Sequence, residues 1–403
     1  MRKLAAIAVL VLGLTVLGVA AAGTSGDPGV SDDKVVIGSS GPLTGEAAAA
    51  AGVLKGAEAY FKYVNSKGGV NGRMIDYKYL DDAYDPAKAV ANVRQLIQQD
   101  QVFALFANVG TNNNLAIRDF VNAAKVPQLF VSSGATTFGR DYKKYPYTIG
   151  YLPTYAGEGK IYAKHILTTN GAKAKIAVLY QNDDYGRDLL AGLQKGLGAQ
   201  KSKIVSAVSY DPTATDVQSQ VAQLKGTGAN TLCIFAFGKF AIQAFVYVKK
   251  LGWKPQIYVN AVASATSVLQ LASSSGQTQG AISIVFAKDP ATPIFAKDPG
   301  IKLAGQIITK FAPGASTKDG YLVAGMTFAF TLVDTLKKAG KNLTRDGVIK
   351  AAASLNEANN PFLLPGIVVK TTPTARFPIS QARLQRWNKD HWELFGGLLD
   401  AKP

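Results

Sequence analysis

Two short polar stretches hold the side chains best suited to recognising a small molecule. Gly110-Thr111-Asn112-Asn113-Asn114 supplies one hydroxyl and three amides, and Ser132-Ser133-Gly134-Ala135-Thr136-Thr137 supplies four hydroxyls. Neither contains an acid, a histidine or an activated nucleophile, so the chemistry on offer is hydrogen bonding without bond making. Either stretch alone fits an ordinary loop that caps a helix. Their setting argues for more.

Residues 102–107 form a continuous apolar run, short enough for a strand buried on both faces. The first polar stretch follows it and opens a helix, in which Leu115, Ile117, Phe120, Val121 and Ala124 recur at helical spacing. Pro127 closes that helix, and residues 128–131 form a second apolar strand that runs into the second polar stretch. Both loops therefore sit at the carboxyl ends of neighbouring parallel strands, where open α/β sheets bind ligands. The first also ends on a helix N-terminus, whose N–H groups favour an anion such as a carboxylate.

The same alternation runs along the whole chain. Residues 34–39 read as a strand and 47–65 as a helix closed by Gly68-Gly69; Asn71-Gly72 is a tight turn into a strand at 74–80. Asp85 is the expected N-cap of the next helix, with Pro86 at its first position. Asp81, Asp82 and Asp85 lack the glycine and distant glutamate of a calcium loop, and read as caps. The aromatic, proline-marked segment 145–155 reads as a crossing between domains. The pattern then restarts, with strands near 175–180, 204–210, 231–235 and 256–260 separated by helices, which predicts a second parallel sheet covered on both faces. The run 281–286 is expected to return the chain to the first domain. Helices near 301–311, 321–338 and 345–355 and a hairpin of 383–388 with 392–395 complete it.

Composition narrows the function. The formal charge is +17, but the lysines that dominate it are scattered, without the arginine clusters and interleaved aromatics of a nucleic-acid surface. Arg2-Lys3, an apolar run and Ala20-Ala21-Ala22 give residues 1–22 the form of a cleavable secretory signal. The remainder is too long for one ordinary core and suggests two domains. Cys233, the single cysteine, lies in an apolar run and reads as a buried hydrophobe. His165 and His391 are the only histidines and have no metal-ligand spacing. No nucleophile elbow, phosphate-binding lysine loop or dinucleotide fingerprint occurs. No catalytic residue, metal site or cofactor is therefore expected.

Several motifs together resemble one family. Val-Ile-Gly-Ser-Ser-Gly-Pro-Leu-Thr-Gly at 36–45, Asn-Ser-Lys-Gly-Gly-Val-Asn-Gly-Arg at 65–73, Asp-Asp-Ala-Tyr-Asp-Pro at 81–86, Val-Ser-Ser-Gly-Ala-Thr at 131–136 and Gln-Asn-Asp-Asp-Tyr-Gly at 181–186 are similar to the periplasmic solute-binding proteins of branched-chain amino acid type ABC importers. The resemblance covers nearly all of the chain after residue 34. It implies an α/β fold of two doubly wound parallel-sheet lobes joined by a three-crossing hinge, the type I periplasmic binding protein architecture. Lobe one would be 34–150 with 281–361, and lobe two 151–280 with 362–403. It further implies a periplasmic monomer that binds a small-molecule ligand in the cleft and docks on ABC transporter membrane permease subunits. A ligand sensor without transport is the alternative.

Family roles carried onto matching positions make Thr111, with Asn112 beside it, the partner of a ligand carboxylate. Ser132, Gly134, Ala135 and Thr136 match the loop that gives hydroxyl and backbone contacts. Tyr185 matches the ring that closes over the ligand; Phe237 and Asn260 complete the expected lobe-two side. Two departures stand out. The acidic residue that amino-acid binders of the family commonly carry after the last of these strands is replaced by Ala261, which would leave a ligand ammonium without a partner. An aromatic near the first lobe is replaced by the alanine run 47–51. Both favour a carboxylate with an apolar body, aromatic or aliphatic, over a free branched-chain amino acid.

Overall fold

The computed structural model describes residues 26–403; the expected signal at 1–22 lies outside the described residues. The first half of the chain alternates β1 (Lys34–Gly41), α1 (Ala51–Asn65), β2 (Met74–Asp81), α2 (Pro86–Gln98), β3 (Ala104–Phe106), α3 (Thr111–Ala123), β4 (Gln128–Val131), α4 (Thr137–Arg140) and β5 (Thr148–Gly150). These strands form one sheet in the order β2-β1-β3-β4-β5, parallel throughout. The apolar runs are strands for the reason the sequence gives: residues 102–107 and 128–131 are all buried, on both faces of the sheet. Asp85 caps α2, accepting from the N–H groups of Ala87 and Lys88, with Pro86 at the first helical position.

The second half repeats the pattern: α5 (Tyr155–Asn170), β6 (Ile176–Gln181), α6 (Asp184–Leu197), β7 (Ile204–Tyr210), α7 (Gln218–Gly226), β8 (Thr231–Phe235), α8 (Lys239–Lys250), β9 (Gln256–Val259), α9 (Thr266–Ser273) and β10 (Ile282–Val285). Then come α10 (Pro299–Phe311), α11 (Gly320–Ala339), α12 (Arg345–Ala352), the short pair β11 (Asn356–Glu357) and β12 (Val369–Lys370), and a hairpin of β13 (Gln381–Asn388) and β14 (His391–Asp400). The second sheet has the order β14-β13-β10-β9-β8-β6-β7.

Three expectations are corrected here. The second sheet is mixed rather than parallel, because β13 runs antiparallel to β10 and β14 antiparallel to β13. And β10, placed above in the first lobe, pairs with β9 and β13 in the second sheet. A four-residue apolar run fits either sheet equally well; only its long-range pairing decides. The segment between β11 and β12 also differs from the proposed boundary: Phe362, Leu363, Leu364, Ile367 and, in β12 itself, Val369 pack in the core of the first lobe.

The chain passes between lobes three times: between β5 and α5, after β10, and just before β13. Thr154 caps α5 at the first crossing, its hydroxyl accepting from Gly157 N–H and donating to the carbonyl of Ala401, 2.9 Å away, just beyond β14. Trp387 and Trp392, ring to ring at 5.3 Å, are fully buried in the second lobe's core beside Ile282 and Ile284.

Candidate functional site

A cavity lies between the carboxyl ends of the two sheets, with about 970 Å³ of empty space counting its open mouth. From the first lobe, Val109, Gly110 and Ser132 reach it at the ends of β3 and β4, where Val109 and Ser132 are bridged in parallel. From the second, Tyr185 reaches it from the first turn of α6, and Phe237 and Ala261 from the segments after β8 and β9. Tyr84, Tyr155 and Tyr321 add rings from the loop after β2, the first crossing and the start of α11. Leu152 and Phe286, beside the first and second crossings, and Phe328 on α11 complete the apolar wall.

The loops of the first lobe are held by a buried polar chain. The Asn114 side-chain amide donates to the carbonyls of Asn108 and Gly110 at 2.8 and 2.6 Å, Gln128 donates to Asn114 Oδ1 at 2.8 Å, and Thr148 donates to Gln128 Oε1 at 2.9 Å. Gly110 is the N-cap of α3 and supplies no side chain, so the first turn keeps its N–H groups uncapped. Gly110 and Ser132, which line the cavity, lie at the positive end of that helix.

The nine residues singled out from the sequence divide into two groups. Ser132, Tyr185 and Phe237 line the cavity. Thr111 lies behind the wall, its hydroxyl 2.7 Å from that of Ser133, and Asn112 is half-buried on the same helical turn. Gly134 lies under Tyr155: a Cβ there would come within 2.8 Å of the ring carbons. Ala135 is buried at the edge of the second lobe's core. Thr136 points across the cleft, donating from both its N–H and its hydroxyl to Asp188 Oδ2 at 2.8 Å. Asn260 is fully buried and serves Tyr185: its amide accepts from the Tyr185 hydroxyl at 2.9 Å and donates to the Ala236 carbonyl at 3.0 Å.

Tyr84, Tyr155 and Tyr321 were not singled out. Tyr84 sits at φ 66°, a conformation no hydrophobic pattern signals, and its ring faces Phe237 at 5.3 Å across the cleft. Tyr155 meets Tyr185 edge-on at 5.1 Å. Tyr155 does end the aromatic, proline-marked stretch that the sequence identifies as a crossing, which was the available signal.

The charged groups near the cavity are engaged. Lys288 Nζ donates to both oxygens of Asp298 at 2.8 and 2.9 Å and to the Pro361 carbonyl at 2.8 Å. Asp289 accepts from the Thr266 hydroxyl at 2.7 Å and from Ala291 N–H at 2.8 Å, and burial raises its pKa. The missing acid at Ala261 has a neighbour. Glu158 Oε1, 1% exposed, accepts from Ala261 N–H at 2.7 Å and from the Tyr162 hydroxyl at 2.6 Å. Desolvation pushes that carboxyl up to about 7, and its side chain is not part of the cavity wall. Asp81 and Asp82, weighed above as metal ligands, are occupied by turns: Asp81 accepts from Leu43 and Ala83 N–H, and Asp82 from Tyr84 N–H and the Ser40 hydroxyl. Cys233 is buried in β8, and His165 pairs with the Tyr258 hydroxyl at 2.7 Å.

The lobes also touch directly. Besides Thr136 and Asp188, Glu46 forms an ion pair with Lys239, and the Tyr321 hydroxyl donates to the Val262 carbonyl at 2.9 Å. These contacts join the two lobes across the cleft.

Comparison with known proteins gives three kinds of match. A family model described as periplasmic binding protein matches residues 34–391. An amino acid binding protein of Pseudomonas aeruginosa is 24% identical over 316 residues, 76% of this chain and 79% of that protein. A branched chain amino acid ABC transporter structure from Thermus thermophilus, with bound valine, superposes with a TM-score of 0.80 at 16% identity, covering 92% of this chain and 97% of that one. A solute binding protein of an ABC transporter from Rhodopseudomonas palustris, in complex with 3,4-dihydroxy benzoic acid, gives 0.77 at 18% identity, covering 93% and 99%. The two structures share the fold.

Proposed function

The chain belongs to the periplasmic binding protein family, and on that premise we propose that it is the extracytoplasmic solute-binding component of an ABC importer. It captures a small carboxylate with an apolar body in the interlobe cleft and, once closed, presents it to the membrane permease subunits as a monomer in the periplasm. The observation that carries this reading is the chemistry of the wall. Apart from Lys288 and Asp289, both already partnered, the lining consists of rings, small apolar side chains and a few neutral polar groups. An apolar body gains by burial there, whereas a ligand ammonium meets no unpartnered carboxylate.

The acid head lies at the start of α3, near Ser132, with Thr111 and Asn112 in support, and the body lies under Tyr185 and Phe237. Ligand binds the first lobe, and the second lobe then adds its rings, so that closure is favoured by contacts made only in the closed state. No step breaks a bond in the ligand. Asp289 on the wall supports a second reading, in which a branched-chain amino acid places its ammonium there. Calorimetry with leucine, valine and benzoate-type acids separates the two. Binding of the benzoates with leucine inert is expected; tight leucine binding with inert benzoates overturns the preference.

A further inference from the structure

A second chamber, with about 450 Å³ of empty space counting its open mouth, lies beside the main cavity. Ala50, Phe237 and Tyr321 line both spaces and form the partition between them. Beyond it the walls are Ala47, Ala49, Ala263, Ile242 and Val268. Four alanines line the chamber, three of them, Ala47, Ala49 and Ala50, from the run 47–51 that replaces an aromatic. The partition is anchored at its edges: Phe237 N–H donates to the Tyr210 hydroxyl at 3.2 Å, and the Tyr321 hydroxyl holds the Val262 carbonyl. At the outer rim, Glu46 and Lys239 pair, and the backbone is so close that a Cβ on Gly238 would overlap the Glu46 carbonyl.

We propose that this chamber is a subsite for the far end of the same ligand, which passes between Phe237 and Tyr321, and that the protein's ligands are monocarboxylates with an extended apolar tail: arylalkanoic or medium-chain aliphatic acids. This rests on the reading of the main cavity as a carboxylate site. The orientation follows from charge. Lys239 at the rim is already neutralised by Glu46, whose carboxylate repels an acid group from the chamber's mouth. The tail therefore points to the alanine-lined chamber. Neither space alone explains both the alanine run and the shared partition; one elongated ligand explains both.

The test is calorimetry with benzoate, phenylacetate and 4-phenylbutyrate, and with straight-chain acids of four to ten carbons, on the whole protein and on Ala49→Leu. Ala49 is exposed at the chamber and does not line the main cavity, so leucine there narrows the chamber without burdening the core. The expected result is an affinity that rises about fourfold per added methylene, the yield of burying one such group, once the body exceeds the main cavity. Ala49→Leu flattens that rise and leaves benzoate within about twofold. Affinity that is flat or falls with tail length, or a loss in Ala49→Leu equal for short and long acids, overturns the subsite while leaving the carboxylate reading intact. Failure of every acid to bind overturns both. Should Ala49→Leu melt below the parent, the chain-length series on the unmodified protein still decides.

Discussion

Thr136, on the first lobe, gives both its N–H and its hydroxyl to a single oxygen of Asp188, on the second, at 2.8 Å each. Both bonds span the cleft, so they exist only when it is shut. Asp188 thus contributes to the closed state without lining the cavity. Asp188→Ala should weaken ligand binding by about 1.5–3 kcal/mol, roughly 10- to 100-fold, the worth of hydrogen bonds to a charged acceptor. Asp188→Asn, which keeps an oxygen there, should lose less. Calorimetry measures the affinity, and small-angle scattering measures the closed fraction. Unchanged affinity in Asp188→Ala would remove the latch.

Asn260 is the support of Tyr185. Asn260→Ala leaves the Tyr185 hydroxyl and the Ala236 carbonyl buried without this partner, at a cost of about 1–3 kcal/mol. Urea unfolding should show that loss, together with weaker ligand binding, while Tyr185→Phe should bind nearly as the parent does. A ligand affinity that survives Asn260→Ala and collapses in Tyr185→Phe would mean that the hydroxyl serves the ligand instead.

Ser132 and Thr111 should separate by position. Ser132 is at the cavity, whereas the Thr111 hydroxyl is bonded to Ser133. Ser132→Ala should cost about tenfold or more in carboxylate affinity, and Thr111→Ala should cost less, through looser placing of the two loops. Equal affinity in the parent and Ser132→Ala would move the acid head elsewhere.

Two buried glutamates set a pH dependence. Desolvation, the dominant cause, pushes Glu158 and Glu357 each up to about 7 from an ordinary 4.5. The folded protein therefore holds those protons more tightly than the unfolded chain does, and the neutral form is the one the core accepts. Stability is full below about pH 4.5 and declines as pH rises to about 7, by at most roughly 3 kcal/mol for each group. Melting temperature should be higher at pH 5 than at pH 8. Glu357→Gln keeps the acceptor oxygen used by Thr331 and Asn360 and should make the profile shallower, leaving the part due to Glu158. A profile as steep in Glu357→Gln as in the parent would exclude Glu357 as its source.

The segment from β3 to the loop after β4 was legible because its information is local: apolar run, breaker, helical period, proline. The sheet membership of β10 was not, since Ile282 finds its partners at Tyr258 and Arg386, far along the chain. The loops at the strand ends were legible as loops, but the direction of each side chain was not. Thr136 faces Asp188 rather than the cavity because α6 packs opposite it, a matter of how the lobes meet. Tyr84 and Tyr321 reach the cavity from a left-handed turn and a helix start, where no period of two or three to four residues applies.

The hairpin of β13 and β14 completes a sheet whose other strands end at Val285, before the whole run from α10 to β12. Neither lobe is thus a removable module. A fragment of residues 155–285 would leave the flank of β10 without its hydrogen-bonding neighbour and its core without Trp387 and Trp392. During synthesis the second lobe must wait for the ribosome to finish the first, and the bond from Thr154 to Ala401 fastens the connection between them only after that delay.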